Sequence, residues 1–86
     1  MPHYYFHLIV DTERHIDSLG VEFPSLDAAY LDAFEAAREM WSELLKERKD
    51  PLTHTFEISD ADGRLLLTLP FIEVLEQARK PFSQAR

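Results

Sequence analysis

The sequence predicts a small α+β domain in which one long helix packs on an antiparallel or mixed sheet of three to four strands. Two observations predict this fold class. Short stretches are rich in aromatic and β-branched residues, as strands are, and residues 25–48 carry apolar side chains at spacings of three and four, as an amphipathic helix does. The predicted element order is β-β-α-β-β-α. We expect one domain over residues 1–80 and a loose tail over residues 81–86.

The first strand is predicted at residues 3–10 and a second, short one at residues 20–24, with a polar turn between them. Because successive side chains of a strand point to opposite faces, the first strand carries two rows. These rows are Tyr4, Phe6, Leu8 and Val10 on one face, and His3, Tyr5, His7 and Ile9 on the other. Both rows are largely apolar or aromatic, so we expect both to be covered, by the chain itself or by a partner.

The long helix is predicted to begin after Ser25, a suitable N-cap, and to end near residue 48, before Asp50 and Pro51. Its apolar stripe consists of Leu26, Tyr30, Ala33, Phe34, Ala37, Met40, Trp41, Leu44 and Leu45. Off this stripe lie the acidic residues Asp32, Glu35, Glu39, Glu43 and Glu47. These carboxylates form either a solvated face or an acidic docking face for a partner.

The last elements are strands at residues 53–59 and 64–69 and a short helix at residues 71–79. A hairpin turn from Asp60 to Gly63 joins these two strands. The Asp-x-Asp-Gly spacing there lacks the further ligands of a calcium loop, so the turn explains these residues.

The predicted helix is longer than the predicted strands and can cover only one face of the sheet. This mismatch predicts association with a second chain. A helix of about 24 residues is ~36 Å long, whereas a strand of seven residues spans ~23 Å. The last helical turns are therefore expected to pack on the second helix or on another subunit. One long helix also leaves one sheet face bare, unless the second helix folds over it or the chain forms a homodimer. The interface candidates are Tyr5, Trp41, Leu44, Leu45, Phe56 and Ile58.

Composition excludes several classes of function. The chain has 86 residues and a formal net charge of −7, so phosphate groups would be repelled and no nucleic-acid partner is expected. It has no cysteine, which excludes disulfides, thiolate zinc sites and a cysteine nucleophile. We expect a cytoplasmic protein with no membrane partner, because no signal-peptide pattern and no long apolar run is present.

No catalytic motif stands out, and neither an enzyme activity nor a cofactor is expected. Four histidines are present, and His7 and His54 on neighbouring strands are the candidates for a metal or small-ligand site. The alternative is structural: His7 is a half-buried strand residue hydrogen-bonded to backbone or to a carboxylate.

Parts of the sequence resemble two known groups of proteins. The opening residues 1–7, the segment 20–24, the alanine-rich helix 27–39 and the segment 62–71 resemble a bacterial family of short stand-alone proteins of unknown function, opening M-P-x-Y-x-F-H. That resemblance implies no activity and no site residue. Residues 20–45 also have a weaker likeness to the N-terminal domains of HicB-type antitoxins, which implies oligomerisation and binding of a small toxin.

These observations lead to three hypotheses. The first is a non-enzymatic interaction module that self-associates, most simply as a homodimer. The second is an acidic, HicB-like antitoxin or inhibitor of a small basic protein, whose association would depend on salt. The third is a metal or small-ligand site at His7 and His54.

Overall fold

Five strands and two helices make up the described part of the chain, residues 1–79, in a computed structural model. The strands are β1 (His3–Val10), β2 (Glu13–His15), β3 (Val21–Glu22), β4 (His54–Ser59) and β5 (Leu65–Pro70). The helices are α1 (Leu26–Lys46) and α2 (Ile72–Arg79), and a 3-10 turn spans Pro51–Thr53. The predicted α+β class and element order are confirmed. Two short edge strands, β2 and β3, stand between β1 and α1, where the sequence predicted one. The predicted tail at 81–86 lies outside the described residues.

The sheet is antiparallel throughout, in the order β2-β1-β4-β5, and β3 also pairs with β1. The two central strands run together over six residue pairs, from Tyr5 opposite Ser59 to Val10 opposite His54. The predicted turn joins β4 to β5. There the Asp60 carboxylate accepts the N–H groups of Asp62 and Arg64, and Gly63 has a φ of +82°.

Helix α1 begins as predicted, because the Ser25 hydroxyl accepts the Ala28 N–H at 3.1 Å. The side chains that α1 buries most deeply are mainly small ones, Ala29, Ala33 and Ala37, which let the helix approach the sheet closely. Larger apolar residues, including Tyr30 and Trp41, flank this stripe and are partly buried against the core.

The core lies between α1 and one face of the sheet. Its members are Tyr4, Ala29, Ala33, Ala37, Leu44, Phe56, Ile58, Leu69 and Phe71. Phe71 is fully buried, and its ring lies 5.3 Å from the His54 ring and 5.4 Å from the Phe56 ring between centroids. Phe71, which directly follows β5, is therefore part of the core between the sheet and α1.

The last turns of α1 were expected to pack on the second helix or on another subunit, but a different element covers them. Neither α2 nor another subunit is needed to bury Leu44, because α1 contacts the 3-10 turn Pro51–Thr53 of its own chain. Helix α2 instead contacts α1, and the Tyr30 hydroxyl donates to the Glu73 carboxylate at 3.1 Å.

Because Val74 of α2 also packs against the core, both described helices lie on the same face of the sheet. The Cα atoms accordingly occupy a flat volume of 38 × 37 × 17 Å. Within residues 1–79, no helix is long and apolar enough to cross a membrane.

Candidate interaction surface

The face of the sheet opposite the helices is the candidate interaction surface, here called the open face. Its centre is formed by Tyr5, His7 and Ile9 of β1, which pair with Ser59, Glu57 and Thr55 of β4. The pairing extends the face to the neighbouring strands. It adds Arg14 opposite Ile9, Thr68 opposite Glu57, and Leu65 opposite Ser59.

The apolar side chains of the open face lie outside the core. Tyr5, Ile9 and Leu65 do not pack against the core cluster, and Leu65 is 52% exposed. Tyr5 and Ile9 are half-buried: no helix covers them, but the loop at Gly20 lies against the Tyr5 ring. The open face thus presents three apolar side chains among polar ones, including His7, Glu57 and Thr68.

An ion pair crosses the open face beside Ile9. The Arg14 guanidinium donates to the Glu57 carboxylate at 2.9 Å, and the Glu57 side chain is 25% exposed. An ion pair open to water contributes little stability. Its geometric effect is to hold the aliphatic part of Arg14 along the sheet, where it extends the apolar surface.

A loop interrupts the edge of the sheet next to the open face. Leu8 lies opposite His15 in β2 whereas Tyr4 lies opposite Val21 in β3, so a four-residue step along β1 corresponds to a six-residue step along the edge. The two extra residues of the edge segment leave the Phe6 N–H without a backbone partner. The Asp17 carboxylate accepts this N–H at 3.0 Å and so repairs the interrupted ladder.

Asp17 is held in place by several hydrogen bonds. Its carboxylate also accepts the N–H groups of Leu19 and Gly20, and its own N–H donates to His7 Nδ1 at 3.0 Å. Burial acts to raise the pKa of Asp17, but the three N–H donors, helped by His7, together hold that pKa below its usual value. The loop is therefore fixed to the sheet through a charged side chain.

Gly20 lets the loop lie directly against the open-face aromatics. Its φ is +69°, and a Cβ added there would lie 2.7 Å from Tyr5 Cε2 and 2.9 Å from His3 Cδ2. Any side chain at this position would displace the Tyr5 ring. The ring orientation on the open face thus depends on this glycine.

The histidine pair proposed as a ligand site is not brought together. His7 faces the open side with Glu57, whereas His54 lies opposite Val10 on the helix-covered side. His54 is only 6% exposed and stacks on Phe71. One ion cannot bind both rings, because they point to opposite faces of the sheet. Within the described residues, no group of three or more histidine, aspartate or glutamate side chains is placed to hold a metal ion.

The six interface candidates separate into two groups. Phe56 and Ile58 lie under α1 and are 8% and 0% exposed, and Leu44 is 7% exposed against the 3-10 turn. These three are core residues of a single chain and offer no surface to a partner. Tyr5 lies on the open face, Trp41 is partly buried beside the core, and Leu45 is 57% exposed at the end of α1.

Sequence reasoning did not identify Asp17, Gly20 or Leu65 as important for this surface. A signal for the loop was present, because an aspartate followed three residues later by glycine is typical of a turn closed by a carboxylate. No comparable signal marks Leu65, whose face depends on the irregular register between Ile58 and Ser59.

Comparison with known proteins gives one match. The model of a family described as Domain of unknown function (DUF6894) matches residues 3–72, which is most of the chain. The chain belongs to the DUF6894 family. The matched region runs from the first residue of β1 to the first residue of α2, so the DUF6894 unit contains the whole sheet and α1. No curated protein and no solved structure gives a significant match.

Proposed function

We propose that this DUF6894 protein is a cytoplasmic, non-enzymatic interaction module that forms a homodimer through the open face. The observation that carries the proposal is that both described helices lie on one side of the sheet, while Tyr5, Ile9 and Leu65 lie on the other, which no described helix covers. On this face the apolar side chains alternate with polar ones such as His7, Glu57 and Thr68, and a mixed composition of this kind is typical of non-obligate interfaces.

The area of the open face supports a second copy as its occupant. The broad side of the molecule measures 38 × 37 Å. The sheet itself is four strands wide with up to eight residues a strand, so its open face has a projected area on the order of 500 Å². An interface of about 800 Å² of accessible surface from each partner would therefore take up the whole open face and its rim. Two sheets packed face to face lie ~10 Å apart, which is a common arrangement in β-sandwiches.

The composition of the open face also suits an interface. Tyrosine and arginine are enriched at protein interfaces, and the open face carries Tyr5 and Arg14 beside aliphatic Ile9 and Leu65. A two-fold axis would place each of these residues against the same surface of the partner. Arg14 and Glu57 already form an intrachain pair, so their charges enter the interface partly neutralised.

Sedimentation equilibrium of three chains tests this proposal. We expect the wild type to dimerise, Ile9→Glu to be monomeric because it places a charge at the centre of the interface, and Leu52→Glu to dimerise normally. Leu52 is a matched control because it is 56% exposed in the 3-10 turn, away from the open face. Circular dichroism verifies that each variant is folded. A folded Ile9→Glu chain that dimerises as tightly as the wild type would contradict the proposal.

A second candidate function, an acidic HicB-like antitoxin or inhibitor, is favoured by the outer face of α1. Asp32, Glu35, Glu39 and Glu43 are all exposed there. Two of them are already paired within the helix, Glu35 with Arg38 and Glu43 with Lys46, which lowers the charge offered to a partner. If this role is correct, a defined small basic partner binds in a salt-dependent manner, and replacing Asp32 and Glu39 with lysine weakens that binding.

A further inference from the structure

The edge of the sheet at β5 carries backbone groups that no strand of the described chain pairs. The Phe71 N–H donates to the His54 carbonyl at 3.0 Å. Because hydrogen-bonded and non-bonded pairs alternate in an antiparallel ladder, Leu69 and Leu67 turn their N–H and C=O groups toward β4. Thr68 lies between them and turns both groups outward.

This edge lacks the features that usually prevent strand pairing. Natural edge strands are protected by charged side chains, prolines or interruptions. Strand β5 has no charged residue, and its proline, Pro70, stands at the last position. The opposite edge is protected, since β2 carries Glu13 and Arg14 and the Asp17 loop interrupts it.

A cleft lies beside the β5 edge on the helix side. Its volume is about 360 Å³, and it is lined by Leu26, Asp27, Tyr30, Leu67, Thr68 and Glu73. A strand added to β5 would place one residue opposite Leu67, at a non-hydrogen-bonded pair where side chains approach closely. Because Leu67 points toward the helices, the side chain of that residue would enter the cleft.

The charge and shape of the cleft favour a long cationic side chain. Asp27 and Glu73 contribute two carboxylates, and each helix N-terminus offsets about half a charge, so about one negative charge remains. Within residues 1–77, neither carboxylate forms an ion pair with a lysine or arginine. Leu26, Tyr30 and Leu67 provide apolar walls for a methylene stem.

We propose that the β5 edge binds an extended segment of a partner protein whose lysine or arginine side chain occupies this cleft. Backbone hydrogen bonds to Thr68 supply affinity, and the cleft supplies specificity for the basic side chain, as in other cases of strand addition. The cleft lies on the helix side of the sheet and Ile9 on the opposite side, so its occupation does not depend on dimerisation through Ile9, although the Thr68 side chain borders the open face.

The test uses the full chain labelled with ¹⁵N and a capped pentapeptide of alternating valine and threonine with arginine at its centre. Matched peptides carry glutamate or norleucine at the centre, and capped arginine alone is a fourth probe. We expect the arginine peptide to shift the Thr68 amide resonance and to bind roughly tenfold more tightly than the norleucine peptide. The glutamate peptide should not bind.

Two variants separate the backbone contribution from that of the cleft. Thr68→Pro removes the outward N–H without removing a bond to β4 and should abolish binding, whereas Thr68→Val should retain it. Glu73→Gln keeps an acceptor for the Tyr30 hydroxyl but should reduce the preference for arginine over norleucine. The proposal is overturned if the arginine peptide leaves the Thr68 amide unshifted, if it shifts only amides of β1, if arginine and norleucine peptides bind equally, or if capped arginine alone binds as tightly as the peptide.

Discussion

The two faces of the sheet carry isoleucines on neighbouring strands that differ in their surroundings. Ile58 of β4 is fully buried beneath α1, whereas Ile9 of β1 is half-buried on the open face and contacts no helix. Both are β-branched strand residues with similar intrinsic preferences. The difference shows that burial here is decided by which face the helices occupy rather than by the side chain.

The largest expected effect comes from removing the buried isoleucine. Ile58→Ala should lower the free energy of unfolding by about 3 kcal/mol, because it deletes methyl groups from a closely packed core. Ile9→Ala, measured by urea denaturation at a protein concentration where the chain is monomeric, should lower it by less than about 1 kcal/mol. Equal losses at the two positions would mean that the open face is packed in solution as tightly as the core.

Substitution of the two glycines is expected to give losses of stability of intermediate size. Gly20→Ala should destabilise the fold by about 2–3 kcal/mol, because it combines an unfavourable φ with contacts to the Tyr5 and His3 rings. Gly63→Ala also meets a positive φ but has open space around its Cβ, so about 1 kcal/mol is expected. Thermal denaturation of the two variants measures the difference. Identical losses would show that the loop does not press on the open face.

Asp17→Asn should have a smaller effect that depends on pH. The pKa of Asp17 is lowered in the folded chain, so its carboxylate stabilises the fold above the unfolded-state pKa, and this contribution is lost as the pH falls through the folded-state pKa. At neutral pH we expect a loss of about 1–2 kcal/mol, from weaker acceptance of the Phe6, Leu19 and Gly20 N–H groups. The difference from wild type should shrink on acidification, and a difference independent of pH would contradict the role of the charge.

The sequence predicted the fold well where the signals are local. The cap at Ser25, the turn at Asp60–Gly63 and the alternation in β1 depend on short-range rules, and the structure confirms each of them. Alternation also separated Tyr5 and Ile9 from Phe6 and Leu8 on the two faces of β1. It could not determine which group lies under the helices, because both rows are apolar.

The candidate site was harder to predict because it depends on long-range pairing. The opposite orientations of His7 and His54 follow from the register of β1 against β4, which the sequence does not specify. The cover over Leu44 comes from the 3-10 turn after α1, which no periodic pattern marks. The role of Asp17 results from a two-residue difference in register between β2 and β3.

Small-angle X-ray scattering of the wild-type chain tests the central claim most directly, because it reports mass and shape together. Two flat subunits of 38 × 37 × 17 Å that stack through their open faces should give twice the monomer mass and a nearly isometric particle. A particle of monomer mass at all concentrations, or a doubled mass with a flat, elongated shape from edge-to-edge contact, would contradict dimerisation through the open face.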